Sequence, residues 1–508
     1  MKKLLLGACA LFFGVLSAQE IPFSMKTSEV FKDEYKHSYI QSVDDDEKGG
    51  VIIVRSFNGG VFSSGSGYYF ERYDSSMKLI KEYEYAQKGN VLGVMVNDGQ
   101  AHIVSMTYNK DRKAYVCVVN SASIEDFKFS ERELFAVNSS EIKRFLFGSG
   151  SYDSDSGADM IVNEDRSAFA VTLDLRGENN QESHRLFLFD GSANLKFEHT
   201  FNRDIKDRKF KYENIDVSKD GNTLYLLGKV YTTEKKKKKE GGKYQYELTR
   251  IDKSGAKTQV FDTQEHFSGS LKAIVFDDRV VCIGFYSDRK DHRYKGLGYF
   301  EMDPATLAIR SSKFNPFTEQ FIVDKYGKSK DKELKNLSFR GIHVAANGDI
   351  VFNAEEFYIV THTYTTPNGG MSTRTTYHYD DIVSAKLSRS GDVLWARNIN
   401  KRQMTGGDES YISYSSMIKG NDTYFFINTG EKVKKLRNDR IQFGQTSKKK
   451  SNLNIIRINN NGDFDYQEIL DDKDSEMPFM VAFGAATQSD IYFIGRKGKK
   501  KQLLKVTI

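Results

Sequence analysis

The 508-residue sequence holds three cysteines, five prolines and one tryptophan, and after its first 18 residues it has no long apolar run. The missing run excludes a membrane-spanning helix, which needs about 18 to 20 consecutive apolar residues. So few cysteines exclude a disulfide framework. Cys9 falls in the apolar leader, while Cys117 (Tyr-Val-Cys-Val-Val) and Cys282 (Val-Val-Cys-Ile-Gly) sit mid-strand in distant segments and read as separate buried thiols. Proline is scarce but aromatic residues reach 13%, and runs such as Thr423-Tyr424-Phe425-Phe426-Ile427 favour strands over helices. Linear catalytic signatures are also missing: no His-Glu-x-x-His, no Gly-x-Ser-x-Gly, no phosphate-binding glycine loop and no cysteine pair at metal spacing. This weakens an enzyme reading without excluding one, because a site gathered from several repeats leaves no linear trace.

The N-terminus reads as an address. Met1 to Ala18 carries Lys2 and Lys3, an apolar stretch from Leu4 to Leu16, and Ser17-Ala18 before Gln19, the layout of a cleavable secretory signal. The expected mature chain is one domain, 19–508, exported to a periplasmic, outer-membrane-associated or extracellular location. Leu6-Gly7-Ala8-Cys9 offers a lipoprotein alternative, but cleavage there leaves too short an apolar stretch ahead of Cys9. The 75 basic and 69 acidic residues give +6, and loss of Lys2 and Lys3 with the leader leaves +4. Near balance means that only local clusters of charge can act, and nucleic acid is not an expected partner of an exported protein.

What the sequence does have is a repeat. From His37 onward, two strands joined at Asp, Asn or Gly, a variable stretch, and two more strands recur about every 60 residues. The inner joints lie at Asp45–Gly49, Asn97–Gly99, Asn163–Asp165, Lys219–Gly221, Asp277-Asp278, Asn347-Gly348, Gly420–Asp422 and Gln488–Asp490. These residue types tolerate the positive φ of tight hairpins. Outer joints fall near Asp74, Asn120–Ala122, Asp190, Asp252–Gly255, Asp303, Arg389–Asp392 and Asn459–Gly462; an eighth is missing because the last repeat ends after its third strand. The repeat resembles the β-propeller superfamily across nearly all of the mature chain, and no narrower family follows. Trp395, the lone tryptophan, leaves no room for the Trp-Asp signature of the WD40 type. The resemblance implies an all-β fold with eight four-stranded blades, the segment from Ile21 to Phe31 completing the last. A seven-bladed ring with one hairpin as an appendage is the alternative.

The variable stretches between second and third strands are the most distinctive segments. One contains Lys235, Lys236, Lys237, Lys238 and Lys239; another runs from Phe357 to Tyr379 through Pro367-Asn368-Gly369-Gly370. Lys434, Lys435, Arg437, Lys448, Lys449 and Lys450, and then Arg496, Lys497, Lys499, Lys500 and Lys501, add basic clusters in the seventh and eighth repeats. On one face they would capture a partner protein or an anionic glycan or envelope polymer; lysines at hairpin tips also simply keep strand ends soluble. Asp153, Asp155 and Asp159, around Gly157, have a spacing that could collect Ca²⁺. His362 and His378 on opposite sides of the long hairpin would bind a metal only if the register brings them onto one face. The expectation is therefore an exported, non-enzymatic binding or scaffold propeller, or a structural subunit of an envelope assembly. A glycan- or peptide-cleaving hydrolase or lyase, with His343 or His102 as its acid–base group, is the rival.

Overall fold

The computed structural model describes residues 21–508 apart from 47, 60–64, 144–156, 232–243, 262, 264–265, 289–292, 330–332, 366–370, 431, 439 and 476. The leader, Lys235 to Lys239, Asp153 and Asp155 lie outside the described residues.

Among the described residues, strands pair antiparallel into eight sheets of four or five strands, filled in sequence order, plus one two-stranded ribbon. The first sheet takes His37–Asp45, Val51–Asn58, Ser66–Tyr73 and Leu79–Ala86; the seventh takes Ser415–Lys419, Asp422–Thr429, Asn452–Ile458 and Phe464–Leu470. The eighth draws Ala485–Ala486, Asp490–Lys497 and Lys500–Thr507 from the end of the chain. Its fourth strand is Ser24–Thr27, with Ser24 opposite Thr507 and Thr27 opposite Leu504.

Sequence explains which strand goes where. Val51-Ile52-Ile53-Val54 and Ala168 to Leu173 are buried without a break, because a second strand has a neighbouring sheet on each face and loses the in-out alternation. Fourth strands such as Leu79–Ala86 are mostly exposed and carry the charge. Each apolar core joins two consecutive sheets: Ile52 and Val54 of the first meet Ala101 and Ile103 of the second. The eighth core brings Val51 and Ile53 against Tyr492, Ile494 and Leu503 of the last sheet. Each such side chain contributes about 1.5–3 kcal/mol on full burial.

Innermost strands meet through side chains. Asn214 donates to the Ala273 carbonyl at 2.8 Å and accepts from the Ala273 amide at 2.9 Å, while Asp216 Oδ2 accepts from the Val275 amide at 2.7 Å. Polar groups that an open strand edge would leave bare are thereby satisfied.

The outer turns follow the expected chemistry. Asp190 Oδ1 takes the amides of Ser192 and Asn194, and Asn459 Oδ1 takes those of Asn461 and Asp463. One joint differs: Asn120 to Ala122 lie inside the strand Ala114–Ser123, and the turn follows it, because Ile124 and Phe127 are buried there as core residues. Gly391 (φ +84°) is required twice over, since a Cβ there would lie 2.3 Å from the Tyr299 ring of the preceding sheet. Cys117 and Cys282 are separate buried thiols, and burial pushes both well above the ordinary thiol range.

Candidate functional site

Antiparallel order sends two things out at the same end of each sheet: the connection between second and third strands and the link to the next sheet. In the sixth sheet this end is enlarged. Strands Ile350–Thr365 and Met371–Leu387 run far beyond their neighbours, Leu337–Val344 and Val393–Ile399. From Phe357 to Thr365 the outgoing strand ladders with its returning strand, which at Tyr377 to Tyr379 also pairs with Gln403–Thr405.

A β-bulge at Glu355 to Phe357 marks the root of this hairpin, and the two consecutive glutamates face opposite ways. Glu355 faces the seventh sheet. Its carboxylate takes Arg340 Nε at 2.8 Å and the Ser413 hydroxyl at 2.7 Å, with Lys401 Nζ 2.8 Å away. Lys401 also donates to the Tyr379 carbonyl at 2.6 Å, and burial pushes its ammonium below the ordinary lysine range. Glu356 faces the other way, toward Lys325, whose Nζ lies 2.9 Å from it and 2.7 Å from Asp381. Against the burial that disfavours its charge, those two carboxylates hold Lys325 up at about 12.

Lys325 is carried by a helix, Glu319–Tyr326, lying on the link between the fifth and sixth sheets. Thr318 caps it by accepting from the Phe321 amide at 3.2 Å, and Gly327 ends it in the left-handed region. Asp324 on the same helix accepts from Arg397 Nε at 2.6 Å. The ribbon of Lys434–Lys435 and Ile441–Gln442, inserted in the seventh sheet, closes over the helix end. Arg440 donates to the Lys325 carbonyl at 2.9 Å and Asn438 to that of Gly327. Phe443 then plugs into the core between sheets six and seven. Helix, hairpin root and ribbon form one braced layer.

Beyond that layer the hairpin carries single exposed apolar side chains among threonines. Met371 is 79% exposed, more than any other large apolar side chain among the described residues, while Ile359 at 54% and Met404 at 51% match Ile80 and Leu394 elsewhere. Tyr358 stacks on His378 at 4.6 Å, its direct cross-strand partner, while His362 stands opposite Arg374. The register puts both histidines on one face but four residues apart along the strands, about 13 Å, so no metal pair is assembled there.

The basic residues divide. Lys434, Lys435, Arg437, Lys448, Lys449, Lys450, Lys497, Lys499 and Lys500 are exposed. Arg496 and Lys501 are buried and do not belong to an exposed basic surface. Arg496 pairs with Asp408 at 2.5 Å, and Lys501 donates to the Lys36 carbonyl at 2.9 Å, with burial pushing its ammonium down to about 8. Both have been drawn inward by partners on other links of the chain. Lys229, at the root of the fourth sheet's connection, is also buried. Its Nζ lies 3.9 Å from the Tyr244 ring centre and donates to the Ser268 carbonyl at 2.9 Å.

Of the two acid–base candidates, His102 is hydrogen-bonded to Ser121 at 2.8 Å and His343 to Ser416 at 3.3 Å, and burial lowers both below the ordinary histidine range. Among the described residues, a histidine converges with two carboxylates elsewhere, at Asp174, Glu182 and His184 in the third sheet, with donor atoms within 4.8 Å of one another. Sequence reading missed this group. Its only linear trace is Glu-Ser-His, two ligand types at the spacing that puts them on one face of a strand. Asp159, named in the calcium reading, lies on the neighbouring strand Ala158–Val162 opposite Thr172.

No family model matches the chain, and no curated protein matches it. Solved structures resemble it at low identity, a β-propeller domain and a WD40 domain among them. The WD40 domain of SCAP from fission yeast is 7% identical, with 96% of this chain and 98% of that one covered at a TM-score of 0.39. The β-propeller domain of the Trilobed protease from Pyrococcus furiosus is 9% identical, with 83% and 94% covered at 0.36. Pyrococcus horikoshii acylaminoacyl peptidase is also 9% identical at 0.36; the match takes in 80% of this chain but only 49% of that one. At these identities and TM-scores no activity follows for this chain.

Proposed function

We propose that this chain is an exported binding propeller of eight blades, ringed shut by Ser24–Thr27, that holds a partner protein on the elaborated ends of blades five to seven. Ring closure is supported by the core shared between the first and eighth sheets and by the strand that the start of the chain lends to its end. Export is supported by the signal-like layout of Met1 to Ala18.

The observation that carries the binding reading is the long hairpin of the sixth sheet. It combines a rigid root with exposed apolar side chains at Ile359, Met371 and Met404. Ile359 and Met371 stand on one face of this projecting, braced element and Met404 on the other, so a partner can grip the hairpin from either side. The exposed lysines of the adjoining ribbon and of the segment Lys448 to Lys450 favour a partner with an acidic rim.

The test shortens the hairpin by joining Ile359 to Tyr377, which are cross-strand partners, through Asn-Gly. The full-length protein and this variant are isolated from envelope and culture fractions of the producing cells. We expect a stoichiometric companion with the intact protein only, released as salt rises, while the variant keeps its melting temperature. A companion that stays bound to the folded variant, or an intact protein recovered alone, would count against the reading.

A further inference from the structure

The geometry points to a binding site for a zinc-class divalent metal ion at Asp174, Glu182 and His184. Asp174 ends the strand Ala168–Asp174, and His184 lies directly opposite it on the next strand, Gln181–Asp190. Glu182 is two residues before His184, so alternation turns both side chains to the same face. Two adjacent strands of a sheet hold all three, which gives a far stiffer frame than a loop.

Burial and charge make the group unusual. Glu182 is 3% and His184 8% exposed, and His184 Nε2 lies 2.5 Å from Glu182 Oε1. The other ring nitrogen, Nδ1, is buried without a hydrogen-bond partner, a deficit that costs about 1–3 kcal/mol. Besides Glu182 and Asp174, the ring faces two aromatic side chains of the fourth sheet, Tyr212 at 5.4 Å and Phe210 at 6.3 Å. Asp207 adds a third carboxylate nearby, yet one ammonium serves both it and Asp174. That ammonium is Lys143 Nζ, hydrogen-bonded to Asp207 and 3.6 Å from Asp174. A divalent cation bound among them would supply the missing positive charge.

Donor chemistry selects the class. One imidazole with two carboxylates suits zinc and its first-row neighbours, whereas Ca²⁺ takes oxygen alone. Ligands of a tetrahedral ion sit about 2.0–2.2 Å from it, so donors already within 4.8 Å of one another need only small side-chain rotations. The site lies between the second and third strands of its sheet, away from the innermost strand, and is independent of the hairpin surface described above.

The experiment uses the full chain stripped with a chelator and titrated with Zn²⁺ alone. We expect one saturable site by calorimetry and a higher melting temperature on loading. Both should be lost in His184→Ala and in Asp174→Asn, and kept in His199→Ala, a histidine on the adjacent strand. If His184→Ala does not fold, Co²⁺ loading of the wild type should give a visible d–d spectrum that Asp174→Asn removes. Absence of saturable uptake would overturn the site, as would uptake that survives in folded His184→Ala. A melting temperature raised by Ca²⁺ and not by Zn²⁺ would overturn it as well.

Discussion

Lys401 Nζ stands 2.8 Å from Glu355 Oε1, and neither side chain reaches solvent. A pair so placed stabilises little relative to an apolar core, but breaking it leaves a bare charge. Lys401→Met is therefore expected to destabilise the protein by about 3 kcal/mol, the low end for a broken buried pair, because Arg340 still faces Glu355. The double variant Glu355→Gln/Lys401→Met should lose less than the two single changes added together. Denaturant melts of the four proteins measure this, and strict additivity would mean the two charges do not sense each other.

Gly391→Ala should cost about 1–3 kcal/mol, since φ at +84° and the Tyr299 ring 2.3 Å from the new Cβ act together. Pairing it with Tyr299→Leu relieves the steric part and leaves the backbone part. A thermal melt of the pair separates the two.

Asp216 gives a pH dependence of definite sign. Burial pushes its carboxyl up to about 6, against the backbone amides of Val275 and Val217, which favour the ionised form. The folded state then binds a proton more tightly than the unfolded chain does. The contribution is fully present below about pH 4 and is lost as pH rises through 6. Across that window the melting temperature of the wild type should fall relative to Asp216→Asn, which keeps an acceptor and cannot ionise. A difference that is flat with pH would show that Asp216 titrates normally.

Removing residues 1–32 takes away the strand Ser24–Thr27 and buried Ile21, which packs with Leu504 and Val506. The strand Lys500–Thr507 would then present an open edge. We expect a lower melting temperature and concentration-dependent association, seen by light scattering. A monomer with unchanged stability would show that the strand is an ornament.

Much of this fold is readable from local chemistry. Tight hairpins advertise themselves through Asn97–Gly99 or Lys219–Gly221, and the absent eighth outer joint announces that a strand must come from elsewhere, which Ser24–Thr27 provides. The turn after Ser123 was hidden because Ile124 and Phe127 make it apolar. The polar interior was also hidden. Arg496 and Lys501 look like any lysine-rich hairpin tip until Asp408 and the Lys36 carbonyl, far away in sequence, draw them inside. Asp174 and His184 are ten positions apart, and only a strand register makes them neighbours.

The buried cations have a consequence for how this chain comes apart. Lys229 of the fourth sheet bonds to a carbonyl of the fifth, Arg279 of the fifth to one of the sixth, and Lys386 of the sixth to one of the seventh. A sheet parted from its neighbour would expose apolar surface and lose these cation–carbonyl bonds in the same step. Half-open states lose both contributions, so unfolding should run as one concerted event, and a protease should find either the intact fold or a fully denatured chain.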